Sequence, residues 1–298
     1  MTEAQRIAVV GLGSMGGAMA QNLHRLGWDV VGVDPSSQAR ERAAEHGITT
    51  TDAVADVAGT PYVVLSLPSA ALVERTVPDL LSQPGTLAIV DTTTSEPATS
   101  QRLSQLAAQQ GTAFVDAPVS GGRTGALAGT LSAFVGGTPE AVTAAEPVLR
   151  ALTAKDPAVV GGPGAGNVVK LLNNVLCATN LVAVGEALDI AAAYGIDLGT
   201  AAAAVSSASG GSNVSANAYP SWILSGTYSS GFAMGLMARD VDLALQVGAE
   251  RGAKPALLAQ TQAAWQKALG ERGPAADFTE VAPTTTTASH AFTTGENS

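Results

Sequence analysis

The apolar run Ile7-Ala8-Val9-Val10 stops at Gly11-Leu12-Gly13-Ser14-Met15-Gly16, and a helical pattern through Met19, Leu23 and Leu26 takes over. Strand, glycine turn and helix in this order form the context required of a dinucleotide-binding turn. Gly11 permits the tight turn, Gly13 lets a pyrophosphate approach the backbone, and Gly16 lets the helix pack on the strand. Leu12, Ser14 and Met15 belong to the same turn, and the helix start offers N–H groups and a positive dipole end to phosphate. A bare G-x-G-x-x-G arises often by chance, so the next strand supplies the test. Trp28 to Val33 reads as that strand, and Asp34 stands at its end, 18 positions after Gly16. A carboxylate there accepts hydrogen bonds from both ribose hydroxyls and repels a 2′-phosphate, which predicts NAD over NADP. Arg40 and Arg42 lie further on and are expected to be solvated, although either can soften that preference.

Further short apolar runs recur at the rhythm of a parallel α/β sheet: Tyr62 to Leu67, Leu87 to Val90, Ala113 to Val115 and Ser132 to Val135. Polar or glycine-rich residues follow each run, where ligands bind in such sheets. From Gly164 onward helical signals dominate, with helices expected over Asn167 to Tyr194, Thr200 to Ser207, Phe232 to Arg251 and Pro255 to Leu269. The chain of 298 residues is therefore read as a Rossmann-type α/β domain with a parallel sheet over 1–163 and an all-α domain over 164–281. Residues 282–298, polar and carrying four consecutive threonines, are read as a flexible tail.

A net charge of −10 opposes binding to nucleic acid. The lone Cys177 cannot close an internal disulfide and reads as a small buried thiol. The amino end lacks a basic and then long apolar leader, and the apolar stretch from Leu181 to Ile190 is broken by Glu186 and Asp189. A soluble cytoplasmic protein without a membrane span is expected. His24, His46 and His290 read as surface residues, and no cluster suggests a metal site.

Asn167, Lys170, Asn173 and Asn174 are related by steps of three and four, so on a helix an ammonium and three amides share one stripe. Val168, Val169, Leu171, Leu172, Val175 and Leu176 make the rest of that helix apolar, which predicts a buried helix whose polar stripe faces a site. The Ser120-Gly121-Gly122 loop exposes backbone N–H groups with no side chain in the way, a nest suited to a small anion.

With these pieces the chain resembles the β-hydroxyacid dehydrogenases over roughly residues 6 to 281. The matching segments are the glycine turn, Leu67-Pro68, Asp91-Thr92-Thr93-Thr94 with Pro97, Asp116-Ala117-Pro118-Val119-Ser120-Gly121-Gly122, and Gly164-x-Gly166 leading to Lys170, Asn173 and Asn174. The resemblance implies that Leu67, Pro68 and Thr94 line the cofactor site. It implies that Ser120, Gly121 and Gly122 hold a substrate carboxylate, that Lys170 is catalytic, and that Asn174 lies beside the substrate. Arg239, in Gly231 to Asp240, stands where the family normally has a lysine near the nicotinamide; a solvated Arg239 paired with Asp240 or Asp242 is the alternative. The family also implies a homodimer or homotetramer. The implied reaction joins a small 3-hydroxy acid to its semialdehyde, with 3-hydroxyisobutyrate first and tartronate, succinic or threonate-type substrates open. An imine reductase and a catalytically degenerate nucleotide-binding protein are the other readings.

Overall fold

The computed structural model describes residues 5–282, and the chain divides into two compact units after Lys170. The first unit carries nine strands among the described residues: β1 (Arg6–Val10), β2 (Asp29–Val33), β3 (Thr49–Thr51), β4 (Tyr62–Leu65), β5 (Ala88–Asp91), β6 (Ala113–Asp116), β7 (Val119–Ser120), β8 (Ser132–Gly136) and β9 (Ala158–Gly161). They lie in the order 3-2-1-4-5-6-8-7, with β9 on β8, and the six strands from β1 to β6 are parallel. This is the doubly wound order, whose ligand crevice opens beyond the carboxyl ends of β1 and β4.

Alternate residues of the central strands supply two cores. Ile7, Val9, Val64, Val90 and Val115 pack with Met19 and Leu23 of α1 (Ser14–Arg25) and Val148 and Leu149 of α6 (Pro139–Leu152). Ala8, Val10, Leu65, Ile89 and Phe114 pack with Val73 and Leu80 of α3 (Ala70–Leu80) and Leu103 of α4 (Pro97–Gln109). Strands covered on both faces become continuous apolar runs, which is why these were readable in the sequence. Two further helices complete this unit, α2 (Ser37–Ala44) and α5 (Gly122–Ala128).

The expectation of parallel strands fails at β8, which runs antiparallel to β6 and β7. Asp116 pairs with Gly136, Val119 with Ala133 and Ser120 with Ser132, so β6 continues into β7 in one register along β8. The Pro118 carbonyl accepts from Phe134 N–H at 3.1 Å, which holds the ladder across a residue that cannot donate. The chain thus returns locally through α5 instead of crossing over, and an apolar run does not reveal its direction. The edge strands β3, all threonine, and β9, with Val159 57% exposed, lack the apolar pattern that marks the others.

The helix α7 (Ala165–Ala193) begins in the first unit and continues in the second. The second unit adds α8 (Leu198–Ser206), a wide π-type turn over Val214–Ile223, α9 (Met234–Glu250), α10 (Ala256–Arg272) and a short turn at Phe278–Val281. Its core joins Val175, Ala178 and Leu181 of α7 to Tyr219, Val241 and Trp265. Trp265 Nε1 donates to the Ala178 carbonyl at 3.2 Å and Tyr219 OH to that of Leu181 at 2.6 Å, so both buried aromatics have polar partners on α7. Asp197 accepts from Thr200 N–H at 2.8 Å and so caps α8.

The expectation that α7 is a buried helix is corrected along one apolar face: Leu172, Leu176 and Ile190 are exposed. By length and composition α7 could cross a membrane, yet Val175, Ala178, Leu181 and Leu188 are core residues of a helical unit. Cys177 is half-buried, and His24 and His46 are exposed. Ala282 packs into the second core; the rest of the expected tail, with His290, lies outside the described residues.

Candidate active site

The glycine turn has the shape that a dinucleotide needs. Gly11 holds φ at +93°, and a Cβ there would lie 2.2 Å from the Ser66 carbonyl oxygen. A Cβ on Gly16 would lie 1.8 Å from the Gly11 oxygen, so neither glycine tolerates a side chain. At Gly13 a Cβ would meet nothing within 4 Å, which leaves room for a pyrophosphate to reach the backbone. Helix α1 has no side-chain cap and no acidic residue in its first turn, so its amino end remains suited to an anion.

Asp34 Oδ2 accepts from Leu12 N–H and Oδ1 from Ser36 N–H, both at 2.8 Å. The carboxylate at the end of β2 is thereby fixed against the glycine turn. Arg40 is not solvated as expected: its Nη1 donates to the Asp34 carbonyl at 2.7 Å and to that of Pro35 at 3.0 Å. These residues fit NAD, with a cleared turn, an uncapped helix start and a carboxylate in place for the ribose.

Leu67 and Pro68 follow β4, and Thr94 follows β5. Leu67 N–H donates to Thr93 Oγ1 at 3.1 Å, and Thr93 N–H donates to Asp91 Oδ1 at 2.9 Å, which ties the two loops together. Ser120 is half-buried at the end of β7, and Gly121 and Gly122 are exposed with φ of 125° and 62°. Two successive positive φ values restrict this loop to glycine.

Lys170 is half-buried on the second turn of α7. Asn167, expected on a site-facing stripe with it, is instead fully buried and engaged. Its Oδ1 accepts from Ser95 N–H at 2.9 Å, and its Nδ2 donates to Ser100 Oγ at 3.0 Å and to Ser95 Oγ at 3.2 Å.

Asp91 and Asp116, read from the sequence as strand ends that open family-like segments but given no role there, are two buried carboxylates. They are register partners on β5 and β6. Asp116 Oδ1 accepts from Gly164 N–H at 2.7 Å and Oδ2 from Asn167 N–H at 2.9 Å. Burial pushes its carboxyl up to about 6 against the pull of these N–H groups. Burial pushes Asp91 up to about 7, helped by the Asp116 charge, and its Oδ2 has no hydrogen-bond partner. Asp116 is therefore the ionised member, and Asp91 holds the proton longer. In the sequence each ends an apolar run and opens a family-like segment, and neither its burial nor its pairing is signalled.

In the second unit, Asn174 is buried, and its Nδ2 donates to Asp240 Oδ2 at 2.7 Å. Its Oδ1 accepts from Asn173 Nδ2 at 3.1 Å. Asp240 Oδ1 receives Arg239 through Nε at 3.2 Å and Nη2 at 2.9 Å. Asp240, itself 2% exposed, thus orients Asn174 and clamps the half-exposed Arg239. Asp242 is occupied by Gln262 and Gln266.

Fold and glycine turn define the class of nicotinamide-dependent dehydrogenases with a Rossmann domain. Residues 6–164 match the NAD binding domain of 6-phosphogluconate dehydrogenase, and residues 164–284 match the NAD-binding domain of NADP-dependent 3-hydroxyisobutyrate dehydrogenase. The chain is 34% identical to 2-(hydroxymethyl)glutarate dehydrogenase of Eubacterium barkeri, with 84% of each chain covered. It is 35% identical to an NAD-dependent L-serine dehydrogenase of Pseudomonas aeruginosa, over 80% of this chain and 84% of that one. The structure of Mycobacterium tuberculosis 3-hydroxyisobutyrate dehydrogenase with L-serine superposes with a TM-score of 0.84 at 30% identity, covering 94% of this chain and 98% of the other. The chain belongs to the β-hydroxyacid dehydrogenase family and is an NAD-dependent 3-hydroxyacid dehydrogenase.

Proposed function

We propose that this enzyme interconverts 3-hydroxyisobutyrate, or a close short-chain analogue, and its semialdehyde, with Lys170 as the acid and base. The observation that carries the reading is the framework of Lys170. The start of its helix is bonded to Asp116, at the end of the strand that leads to the Ser120-Gly121-Gly122 loop, and to Ser95, next to Thr94 in the loop after β5.

In oxidation the carbinol C–H bond breaks as a hydride while the hydroxyl proton passes to neutral Lys170 Nζ, leaving a carbon–oxygen double bond. Bound NAD would supply the hydride acceptor in oxidation, and bound NADH the hydride donor in reduction. In reduction the Lys170 ammonium polarises the aldehyde oxygen and donates the proton. Because lysine is largely protonated at neutral pH, oxidation is expected to speed up as pH rises. The N–H groups of Gly121 and Gly122 and the Ser120 hydroxyl hold the substrate carboxylate, and Asn174 hydrogen-bonds beside the reacting centre. Arg239 stands where the family normally has a lysine, and it is paired with Asp240. The fixed guanidinium is less adaptable than an ammonium. The protein is read as cytoplasmic and homo-oligomeric, with the exposed Leu172, Leu176 and Ile190 face of α7 covered by a second copy.

A second reading, a substrate with a second carboxylate, is favoured by Arg123. It follows Gly122 directly and is exposed, and the substrate named for one relative is a dicarboxylate. The test is to follow NADH absorbance with C3 to C5 hydroxy acids, with NAD and with NADP. Turnover of monocarboxylates with NAD supports the first reading and preference for dicarboxylates the second. NAD binding without turnover of any member overturns both.

A further inference from the structure

The start of α7 is poor in groups of its own that could cap it. Gly162, Pro163 and Gly164 before it and Ala165 and Gly166 at its start offer no polar side chain, and the first turn contains no acidic residue. The leading N–H groups of a helix need partners, above all where they are buried. Here Asp116, 48 residues before Gly164 in the chain, receives Gly164 N–H and Asn167 N–H on its two oxygens.

Space has been cleared around this carboxylate. A Cβ on Gly136 would lie 2.6 Å from Asp116 Oδ1, and one on Gly166 would lie 2.9 Å from Oδ2 and 2.3 Å from the Phe134 oxygen. Gly164, at φ +88°, approaches the Pro97 carbonyl so closely that a Cβ would lie 2.6 Å from it. The Gly164-x-Gly166 pair brings a helix end down onto a strand end. One residue further, the fully buried Asn167 amide clasps Ser95 and Ser100, and Lys170 follows Asn167 by three residues, close to one turn.

We propose that Asp116 is a positioning residue for Lys170: its carboxylate caps α7 from the sheet and, with the Asn167 clasp, fixes the height and rotation of the turn that presents the amine. The inference rests on the reading of Lys170 as acid and base. A charged cap at a helix start opposes the positive end of the dipole. Asp116 thus holds the turn by geometry and by its charge at the helix start.

The test is a double-mutant cycle on the full-length protein, with kcat, KM, the NAD dissociation constant by calorimetry and the thermal midpoint read together. Asp116→Asn keeps the shape but turns an amide nitrogen toward one of the two N–H donors. We expect kcat to fall about 10- to 100-fold, with KM and NAD affinity within about threefold of wild type. Added to Lys170→Ala, Asp116→Asn is expected to cost nothing more, because its effect passes through that amine. Ser100→Ala, which removes one Asn167 contact on α4 and leaves the cap intact, is expected to lower kcat about 3- to 10-fold with the same dependence on Lys170. It decides the matter if Asp116→Asn does not fold. Full kcat in both variants, or losses that add to that of Lys170→Ala, would overturn the proposal. Undiminished turnover in Lys170→Ala itself would instead overturn the functional reading.

Discussion

Asp91 shows how much one side chain conceals in a linear reading. In the sequence it is the residue that ends a strand. In the fold it is fully buried, one oxygen accepts from Thr93 N–H, and the other has no partner. Its carboxyl is pushed from 3.8 to about 7, first by burial. The folded protein then holds a proton that the unfolded chain releases near pH 4. The resulting stability is fully present below that pH and is lost as pH rises through about 7. Asp91→Asn removes the titration, at a cost of roughly 1–3 kcal/mol for a buried donor without an acceptor. Its thermal midpoint is expected to fall less than that of wild type between pH 5 and pH 8, so that the two curves converge or cross. Parallel curves over that range would mean that Asp91 does not hold its proton in the folded state.

At the scale of elements, the parallel strands were legible because burial on both faces leaves continuous runs such as Ile7-Ala8-Val9-Val10. Helix boundaries fell within a few residues, as at α8, where Asp197 marks the cap. The direction of β8 was not legible, since it is set by the shared register of β6 and β7. The π-type turn over Val214–Ile223 was missed as well, and no residue pattern signals it. The pairing of β2 with the glycine turn was legible, because the spacing of Asp34 from Gly16 fixes where the carboxylate stands. Asp34→Ser is expected to reduce kcat/KM with NAD about tenfold or more, each lost charge-assisted hydrogen bond being worth roughly 1.5–3 kcal/mol. The same change is expected to raise kcat/KM with NADP, since Arg40 lies beside the position. An unchanged ratio of the two cofactors would show that Asp34 only anchors Leu12.

Across the molecule, side chains that share one helix were legible as a spacing, but the contacts that support them were not. Lys170 and Asn174 belong to one helix and were visible as a spacing. Asp116 and Asp240, which hold the backbone before the first and the amide of the second, come from elsewhere in the chain. Hydrogen bonds spanning 51 and 66 residues leave no periodic trace, and Asn167 was misassigned because a buried clasp and a site-facing amide share the same helical spacing. The role of Lys170 in proton transfer is the claim on which the chemistry depends. It is tested most directly by the single-turnover rate of hydride transfer in wild type and Lys170→Ala, with folding and NAD affinity verified in both. The expected result is a loss of about 10² to 10⁴ in that rate with NAD affinity retained, whereas an undiminished rate would contradict the assignment.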